Sequence, residues 1–392
     1  MDLPLYLRAP AQLRVSTRVL SVVPVEGRFA VRLADLVLHP GGGGQPPDAG
    51  TVDGAPVRGF HEIGGAIHLL LDRPPVADAV LVEVDTGRRL DLAQQHTAQH
   101  LLTALALDRL GRATVGFHLP ETGYATVDLS GAPAEADLRM LEVLADEAIR
   151  ADLPVRSRIV APEELAGLPV RSRGLPEGHV GPVRLVEIEG IDLNTCAGTH
   201  VPGLAALQAV RVLSTERIRG GVTRLHYAAG GRLLRHVDAA LERERTFNRL
   251  LSCGPEDHAS ALERLLGRDR AAGRERRRLQ EELAKHLGAA LPTEDGVAVF
   301  HRQEADLAFL GAVATAALEA DPDRLVLCTC DDPAGEGCFV LGGPSAPVAA
   351  EGPVVAALLK GRGGGPPGRF QGRASRIDRR DEAVAHLRGR PR

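Results

Sequence analysis

The sequence predicts an α+β protein built from four units, and three patterns along its 392 residues support this. Short apolar runs broken by Gly and Pro come first, a mixture of helical and strand patterns follows, and charged helical repeats come next. A chain of this length can bury more than one core. We predict a small N-terminal β-barrel domain (1–90), an α+β domain (91–230), a helical arm (231–289) and a C-terminal α/β domain (290–392).

The first unit reads as short β-strands. Apolar residues alternate in RVLSVVPVEGRFAVRLADLVLHP, stop at GGGGQPPDAG, and resume in IHLLLDRPP and AVLVEVD. Alternation with a period of two, interrupted by turn residues, predicts a small β-barrel or sandwich.

The second unit combines helices with strands. We predict a helix from Asp91 to Gly111, because LAQQHTAQHLLTALALDRLG is rich in helix formers and ends on a glycine. An amphipathic helix is predicted in AEADLRMLEVLADEAIRAD. Strands are expected in 113–130 and, after Pro154, in VRSRIV, VRLVEIEGIDLN, AALQAVRVLSTERI and TRLHYAAG.

The last two units are a helical arm and a small α/β domain. In the arm, SCGPED is predicted to be a turn between two helices. The second helix has coiled-coil spacing with polar residues in its middle, at Leu262, Leu265, Asp269, Ala272, Arg276, Leu279 and Leu283. Such arms make dimers or hold domains apart more often than they do chemistry. Strand patterns in GVAVFH, RLVLCTC and CFVLGG surround a helix in ADLAFLGAVATAALEA, and a homodimer through the arm or this domain is one expected assembly.

Composition and charge exclude several classes of protein. Aromatic residues make up 3% of the chain and Trp is absent, so recognition of nucleic acid mainly by base stacking is not expected. The net charge of −4 does not indicate general affinity for nucleic acid, although one face can still be basic. Only Lys285 and Lys360 are lysines, which is typical of a GC-rich genome, so arginine clusters alone are not evidence of function.

Nothing in the sequence indicates secretion or a membrane. The start, MDLPLYLRAP, lacks a basic segment followed by an apolar run, and no apolar run approaches the ~20 residues that span a bilayer. Five scattered cysteines do not suggest a disulfide framework. We therefore expect a cytoplasmic protein with no membrane partner.

Two short motifs predict a metal site. His96 and His100 stand four apart on the predicted helix, so both imidazoles project from one face. Cys196 and His200 flank Gly198, whose freedom allows a tight bend. Either pair alone is weak evidence, but together they supply three imidazoles and a thiolate, which suit tetrahedral zinc. Four protein ligands are typical of a structural site, whereas catalysis keeps one position open, and the spacing leaves both forms open.

The remaining cysteines and the chain end have simpler interpretations. Cys328, Cys330 and Cys338 are interpreted as small packed residues, because CxC is not a usual zinc spacing. Residues 361–392 carry nine Arg against three acidic residues, a net charge of +6. This end is either a solvated tail or a surface that contacts phosphate.

Three stretches resemble one family closely. HPGGGGQPPDAG, HTAQHLL and NTCAGTH resemble, in order and separation, the signatures of the alanyl-tRNA synthetase editing domain. The free-standing alanyl-tRNA editing proteins of the AlaX group, long form, share them. Residues 290–392 are similar to the C-terminal domain of the synthetase, although Pro367 and Arg369 interrupt its glycine-rich stretch. Ala197 stands where the family often has a second glycine.

The resemblance implies a site and a reaction. It implies that His96, His100, Cys196 and His200 bind Zn²⁺ and take part in catalysis. It also implies that the turn Gly42, Gly43, Gly44 and Gln45 contacts the substrate, with Gln45 in a catalytic role. We expect a zinc-dependent aminoacyl-tRNA deacylase acting on serine, or glycine, wrongly joined to alanine tRNA, either through zinc-bound water or with zinc holding the amino group. No phosphate-binding loop is recognisable, so charging of tRNA is not expected.

Two other functions remain open at this stage. The arm and the basic tail also fit a non-catalytic tRNA-binding or dimerising protein with a structural zinc. A hydrolase of another small ester or amide is a third hypothesis. The sequence does not identify a general base, the domain that reads the tRNA, the oligomer, or the preference between serine and glycine.

Overall fold

The structure is a computed structural model that describes residues 3–171, 181–331 and 336–390. The predicted mixed α+β class is confirmed, and the chain divides into two compact units, 1–245 and 246–392. Among the described helices none combines the length and the hydrophobicity that crossing a membrane requires. The limits of the four predicted domains stay predictions.

The first unit begins with a short helix, α1 (Leu5–Arg8), and a seven-stranded antiparallel sheet. The strands pair in the order β4-β3-β7-β1-β2-β6-β5, and alternate side chains such as Val31, Leu69 and Val82 are buried in one core. The predicted strand runs are confirmed except at residues 34–40, which form a loop, and the strands between residues 50 and 63 lie outside the predicted runs. Closure into a barrel stays a prediction. The strands are β1 (Arg14–Val25), β2 (Arg28–Leu33), β3 (Gly50–Val52), β4 (Ala55–Pro56), β5 (Gly59–Ile63), β6 (Ala66–Leu71) and β7 (Ala79–Val84).

A second group of elements in this unit surrounds a long, largely buried helix, α2 (Thr86–Leu110). The other predicted helix is confirmed as α3 (Glu135–Arg150). Two sheets complete the group, one in the order β13-β14-β9-β8 and one in the order β10-β11-β12. Their strands are β8 (Thr114–His118), β9 (Ala125–Ser130), β10 (Val155–Val160), β11 (Val183–Ile188), β12 (Asp192–Thr195), β13 (Val210–Ile218) and β14 (Val222–Ala229).

Helix α2 begins earlier than the sequence suggested. The predicted start near Asp91 is wrong, because the Asp85 side chain caps the helix by accepting a hydrogen bond of 2.9 Å from the backbone N–H of Arg88. The predicted end is confirmed, since Gly111 adopts the left-handed conformation at φ 62° that favours glycine. The predicted limit at residue 90 therefore falls inside this helix.

A buried ion pair fastens the start of α2 to the loop that follows β2. The Arg89 guanidinium donates to the Asp48 carboxylate at 2.9 Å and to the Val37 carbonyl at 2.9 Å. The side chains of Arg89 and Asp48 are only 6% and 0% exposed. The same carboxylate accepts a bond of 2.7 Å from the backbone N–H of His39, so the pair also holds the segment that leads into the glycine turn.

We predict that Arg89→Leu lowers the free energy of unfolding by about 3–5 kcal/mol, because it leaves the buried Asp48 carboxylate without its cation. Urea unfolding at neutral pH measures the change. The exposed Arg14→Leu variant, which removes a surface pair with Glu83, is the control and should cost under about 1 kcal/mol. Equal effects of the two variants would show that the buried pair does not stabilise this unit.

The second unit begins within helix α4 (Gly230–Leu251), which crosses the boundary between the units. It contains a six-stranded sheet in the order β15-β16-β17-β18-β20-β19, in which only β16 and β17 run parallel among the described strands. Its elements are α5 (His258–Ala289), β15 (Thr293–Glu294), β16 (Val297–Gln303), α6 (Leu307–Ala320), β17 (Leu325–Asp331), β18 (Gly337–Gly342), α7 (Ser345–Leu358), β19 (Gly361–Gly364), β20 (Arg369–Ala374) and α8 (Arg380–Arg388).

The cysteines and the basic end of this unit have ordinary structural roles. Cys328 and Cys330 are buried in the core, as predicted for packed residues. In the basic end, Arg376 pairs with Asp378, and Arg388 pairs with Glu294 at 2.7 Å. Contact of this end with phosphate stays a prediction, and its last two residues, 391 and 392, lie outside the described ranges.

Candidate metal centre

The structure brings the four predicted metal ligands together. One ligand atom from each of His96, His100, Cys196 and His200 lies within 4.8 Å of all the others. The Cys196 Sγ atom is 3.4 Å from His96 Nε2 and 3.3 Å from His200 Nε2. Two motifs about 100 residues apart therefore meet at one point.

Helix α2 supplies the two histidines of the first motif. His96 and His100 lie one turn apart on the same face, with ring centroids 5.3 Å apart, and are 1% and 5% exposed. Most of the neighbouring helical residues are also buried, from Leu92 to Ala106. The fold therefore fixes both imidazoles by packing, which limits their freedom before any ion binds.

The second pair lies on the loop that leaves β12. The Arg184 guanidinium from β11 donates to the carbonyls of Cys196 at 3.0 Å and Gly198 at 2.8 Å, and thereby holds the loop closed. A Cβ atom on Gly198 would lie 2.2 Å from His96 Cε1 and 2.7 Å from Gln45 Oε1. Glycine is needed here because the loop passes directly against the histidine ring.

Each imidazole is oriented through its Nδ1 atom. His96 Nδ1 lies 2.8 Å from Gln45 Oε1, and His100 Nδ1 lies 2.9 Å from Asp192 Oδ2. Because both oxygens are acceptors, each Nδ1 carries a proton, and Nε2 is in each case the nitrogen that can bind a metal. His200 Nδ1 contacts Thr97 Oγ1 at 3.1 Å in the same manner. This arrangement is typical of histidines that bind a metal.

The glycine turn before β3 contributes to the centre through Gln45. Its side-chain oxygen accepts from the Thr199 N–H at 2.9 Å as well as from His96, and its side-chain nitrogen donates to Thr199 Oγ1 at 2.9 Å. Gln45 is 3% exposed, so it acts on the ligands rather than facing an open surface. Gly42, Gly43 and Gly44 all have positive φ values of 58° to 119°, which glycine adopts readily.

The electrostatics of the metal-free cluster favour a thiolate. Desolvation would raise the pKa of Cys196, but the adjacent rings of His96 and His200 outweigh it and hold that pKa well below its ordinary value. Burial would lower the pKa of His100, but its hydrogen bonds to Asp192 and Cys196, together with the negative charges of these groups, outweigh burial and raise the pKa to about 9. Desolvation lowers the pKa of His200 to about 3. The positive charge of protonated His100 is thus accommodated beside the Cys196 sulfur.

A cavity of about 430 Å³ opens beside the cluster. His96, His100 and Cys196 contribute to its wall, together with Gly43 from the glycine turn. Polar side chains also line the cavity, and they include Gln99, Thr103, Thr114, Arg171 and Asn194. A small polar group can therefore reach the cluster from this side.

The donor set fits a soft or borderline divalent metal. Three imidazole nitrogens and one thiolate are ligands that zinc binds in tetrahedral sites, whereas magnesium and calcium prefer oxygen. The orienting contacts from Gln45 and Asp192 are those expected of a metal centre. The residues therefore suit the group that the sequence resemblance implies.

Comparisons with known proteins find similarity over most of the chain. The family model described as threonyl and alanyl tRNA synthetase second additional domain matches residues 183–226, which include Cys196 and His200. The chain is 36% identical over 364 residues to the alanyl-tRNA editing protein Aarsd1 of Mus musculus, covering 92% of this chain and 88% of that protein. The protein of the same name from Danio rerio is 34% identical over 367 residues, with the same coverage.

The chain belongs to the alanyl-tRNA editing protein family. The resemblance stated from the sequence is thereby confirmed. The alanine–tRNA ligase of Methanopyrus kandleri is 30% identical over 374 residues, which cover 90% of this chain and 40% of that enzyme. The similarity to the ligase thus involves less than half of the larger protein.

Several residues of the centre in this member of the editing family were not found from the sequence. Asp192, Thr97 and Arg184 each contact a ligand or its loop, yet none belongs to a recognisable spacing. His39 is another. Its Nδ1 atom accepts from the Gly41 N–H at 3.0 Å, and its ring also makes a hydrogen bond to the backbone of Ala197. It thereby joins the glycine turn to the Cys196 loop.

His39 makes the metal-free editing protein sensitive to acid. Burial lowers its pKa to about 4, from an ordinary value of 6.5. Between these values the unfolded chain binds a proton that the folded chain does not, so the stability contributed by His39 is complete above pH 6.5 and is lost as the pH falls to 4. The loss amounts to about 3 kcal/mol.

We predict that His39→Asn removes about this part of the acid dependence, because the Asn oxygen can accept from the Gly41 N–H and does not titrate, whereas the part that buried His200 contributes remains. Urea unfolding of metal-free protein at intervals from pH 7 to pH 4 provides the measurement. The exposed His61→Asn variant is the control and should leave the dependence unchanged. The same steepness in wild type and His39→Asn would disprove the assignment.

Proposed function

We propose that the chain is a zinc-dependent aminoacyl-tRNA deacylase, a carboxylic ester hydrolase that removes serine from mischarged alanine tRNA, with glycine as a second substrate. Membership of the alanyl-tRNA editing family supports action on tRNA. The observation that carries the proposal is the convergence of four ligand atoms within 4.8 Å beside an open cavity. We also propose that it acts in the cytoplasm, as expected from the sequence.

In this proposal His96, His100, Cys196 and His200 hold the zinc ion. When bound, the ion supplies a Lewis acid and a means of lowering the pKa of water. The chain's own contribution is positioning: Gln45 fixes the ring of His96, and the Asp192 carboxylate fixes the ring of His100. Gln45 is accordingly proposed as a positioning residue, and substrate contact by Gly42, Gly43 and Gly44 stays a prediction.

Discrimination requires a group that binds the serine hydroxyl. In the cavity wall, Gln99 Nε2 donates to Thr103 Oγ1 at 2.9 Å, and Thr114 Oγ1 contacts the same Thr103 oxygen at 3.1 Å. We propose that Thr103, whose oxygen already accepts from Gln99 and Thr114, donates a hydrogen bond to the hydroxyl of a seryl ester. A site that forms a hydrogen bond to a hydroxyl group prefers serine strongly over the analogue that lacks this group. The apolar site at which an amino acid is joined to tRNA cannot reject serine equally well, because an apolar pocket discriminates only weakly against an added hydroxyl.

We predict that Thr103→Val lowers kcat/KM for seryl-tRNA about tenfold or more and changes the value for glycyl-tRNA less than about threefold, because only serine loses a hydrogen bond. Parallel deacylation assays with both substrates measure the ratio. Thr122→Val, in a loop of the same unit, is the control. A proportional loss on both substrates would assign Thr103 a purely structural role.

The experiment that tests the function compares seryl-, glycyl- and alanyl-tRNA as substrates of zinc-loaded protein. We expect rapid release of serine, slower release of glycine and little release of alanine. Release from aminoacyl-adenosine as fast as from intact tRNA would instead favour a general esterase.

A non-catalytic tRNA-binding protein with a structural zinc is the second candidate. The observation that favours it is that all four candidate ligands come from the protein, which is the closed pattern of structural sites. The same assay separates the two functions, because a binding protein would bind alanine tRNA and release no amino acid.

A further inference from the structure

Two cysteines of the second unit lie directly opposite each other on neighbouring strands. Cys330 on β17 is the antiparallel partner of Cys338 on β18, and their side chains form a hydrogen bond to each other. Residues paired in this way point to the same face of the sheet and have Cα atoms about 4.5–5.5 Å apart. A disulfide joins Cα atoms about 4.4–6.8 Å apart, so the strands already hold the two residues at the separation that a bridge requires.

The register separates this pair from the other cysteines. Cys328 lies on the same face as Cys330, two residues earlier, but its partner across the strands is Val340. Cys328 and Cys338 are therefore diagonal neighbours about 7–8 Å apart, which is too far for a disulfide unless the backbone moves. Among the strand pairs that the structure describes, no other two cysteines are in register.

The two thiols differ in their access to solvent. Cys330 is 3% exposed, whereas Cys338 is half-buried. Both residues line a cavity of about 550 Å³ in the second unit. Burial raises the pKa of Cys330 to about 11, so its thiolate, which is the reactive form, is scarce at neutral pH. A reagent that enters the cavity therefore reacts first with Cys338.

The wall of this cavity carries charges of both signs. Its acidic and basic residues are Glu304, Asp331, Glu336, Lys360, Arg362 and Arg373. A small peptide disulfide such as glutathione disulfide carries both ammonium and carboxylate groups, so each can find a charge of opposite sign in the wall. The cavity therefore suits a reagent of this class.

We propose that Cys330 and Cys338 are a redox-active dithiol, which small peptide disulfides convert into a disulfide that joins β17 to β18. The pair is a modification site in the second unit, separate from the candidate metal centre in the first. This inference does not depend on the proposed deacylase activity.

The reaction takes place in two exchange steps. The Cys338 thiolate attacks one sulfur of the reagent and forms a mixed disulfide, and the other half of the reagent leaves as a thiolate that takes up the proton lost by Cys338. The Cys330 thiolate then attacks Cys338 Sγ, and the second half of the reagent leaves and is protonated in the same way. The two protein thiols are oxidised by two electrons, and the reagent is reduced to two thiols.

The direct test treats the reduced chain with glutathione disulfide at about pH 8, where ordinary thiols begin to ionise. A glutamate-specific protease cuts after Glu336, between the two cysteines, so a bridge appears as two joined fragments. We expect this bridge, whereas any glutathione adducts at Cys196 and Cys253 appear in other fragments. Adducts at Cys338 without a bridge, or no reaction of Cys338 at all, would overturn the proposal.

Cys330→Ala tests the order of the two steps. It removes the second attacking thiol, so the glutathione adduct on Cys338 should accumulate to at least about ten times its level in the wild type. Cys328→Ala is the matched control, because it replaces a buried cysteine of the same strand, and it should form the bridge at a rate within about threefold of wild type. Circular dichroism establishes that both variants remain folded. A bridge that is lost in Cys328→Ala would contradict the assigned pair.

Urea unfolding tests whether the bridge fits the native strands. Oxidised wild type should unfold at a higher urea concentration than reduced wild type, because a bridge that matches the native geometry restricts mainly the unfolded chain. The difference should disappear in Cys338→Ser, which cannot form the bridge. A lower unfolding midpoint after oxidation of the wild type would show that the bridge distorts the strands and would overturn the proposal.

Discussion

Cys196→Ala should lose bound zinc and deacylation of seryl-tRNA together. The thiolate is the only sulfur in the cluster, and its Sγ atom lies 3.4 Å from His96 Nε2 and 3.3 Å from His200 Nε2. Alanine leaves three imidazoles without the negative charge that balances a divalent ion. We expect the affinity for zinc and the value of kcat/KM to fall at least about 100-fold each.

The matched control is Cys253→Ala, which replaces a half-buried cysteine in the turn between α4 and α5. It should bind zinc and hydrolyse substrate as the wild type does. Elemental analysis and deacylation assays on the same preparations measure both quantities. Full activity in Cys196→Ala protein that contains no zinc would end the metal-hydrolase account.

Gly198→Ala should damage the same centre without removing any ligand. The added methyl group would lie 2.2 Å from the His96 ring and 2.7 Å from the oxygen of Gln45. Neither neighbour can move freely, because Gln45 is hydrogen-bonded to Thr199 and the His96 side chain is buried. Either the loop or the ring must shift, so we expect about a 100-fold loss of zinc affinity.

Gly167→Ala is the control for this variant, since nothing lies within 4 Å of the added atom. Ala197→Gly is a second control, because it changes the same loop but removes a methyl group instead of adding one. Both should keep their zinc, as determined by competition with a chromophoric chelator. Unchanged zinc affinity in Gly198→Ala would show that the loop is not packed against His96 as described.

Sequence patterns predicted the candidate ligands because two closely spaced pairs, each weak evidence alone, together supply the ligand set of a tetrahedral zinc site. His96 and His100 are one helical turn apart, and Cys196 and His200 flank a glycine, so each pair was visible without a structure. The residues that orient them were not visible. Asp192 lies 92 positions from His100, and a single carboxylate on a short strand has no pattern that separates it from any surface acid.

Element boundaries show the same limit. The alternation of apolar residues within residues 1–90 predicted strands there, and the coiled-coil spacing predicted the helix α5 (His258–Ala289). The predicted start of α2 at Asp91 was wrong because the Asp85 side chain caps the helix and the buried Arg89 belongs to its first turns. Burial of an arginine depends on its distant partner Asp48, which no local pattern reveals.

Three imidazoles and one thiolate are proposed to hold a single metal ion. X-ray absorption at the zinc edge of the purified protein, together with its zinc content, tests this most directly. We predict one zinc per chain with three nitrogen ligands and one sulfur ligand, and loss of the sulfur signal in Cys196→Ser. A zinc-loaded protein whose spectrum shows only nitrogen and oxygen ligands would contradict the account.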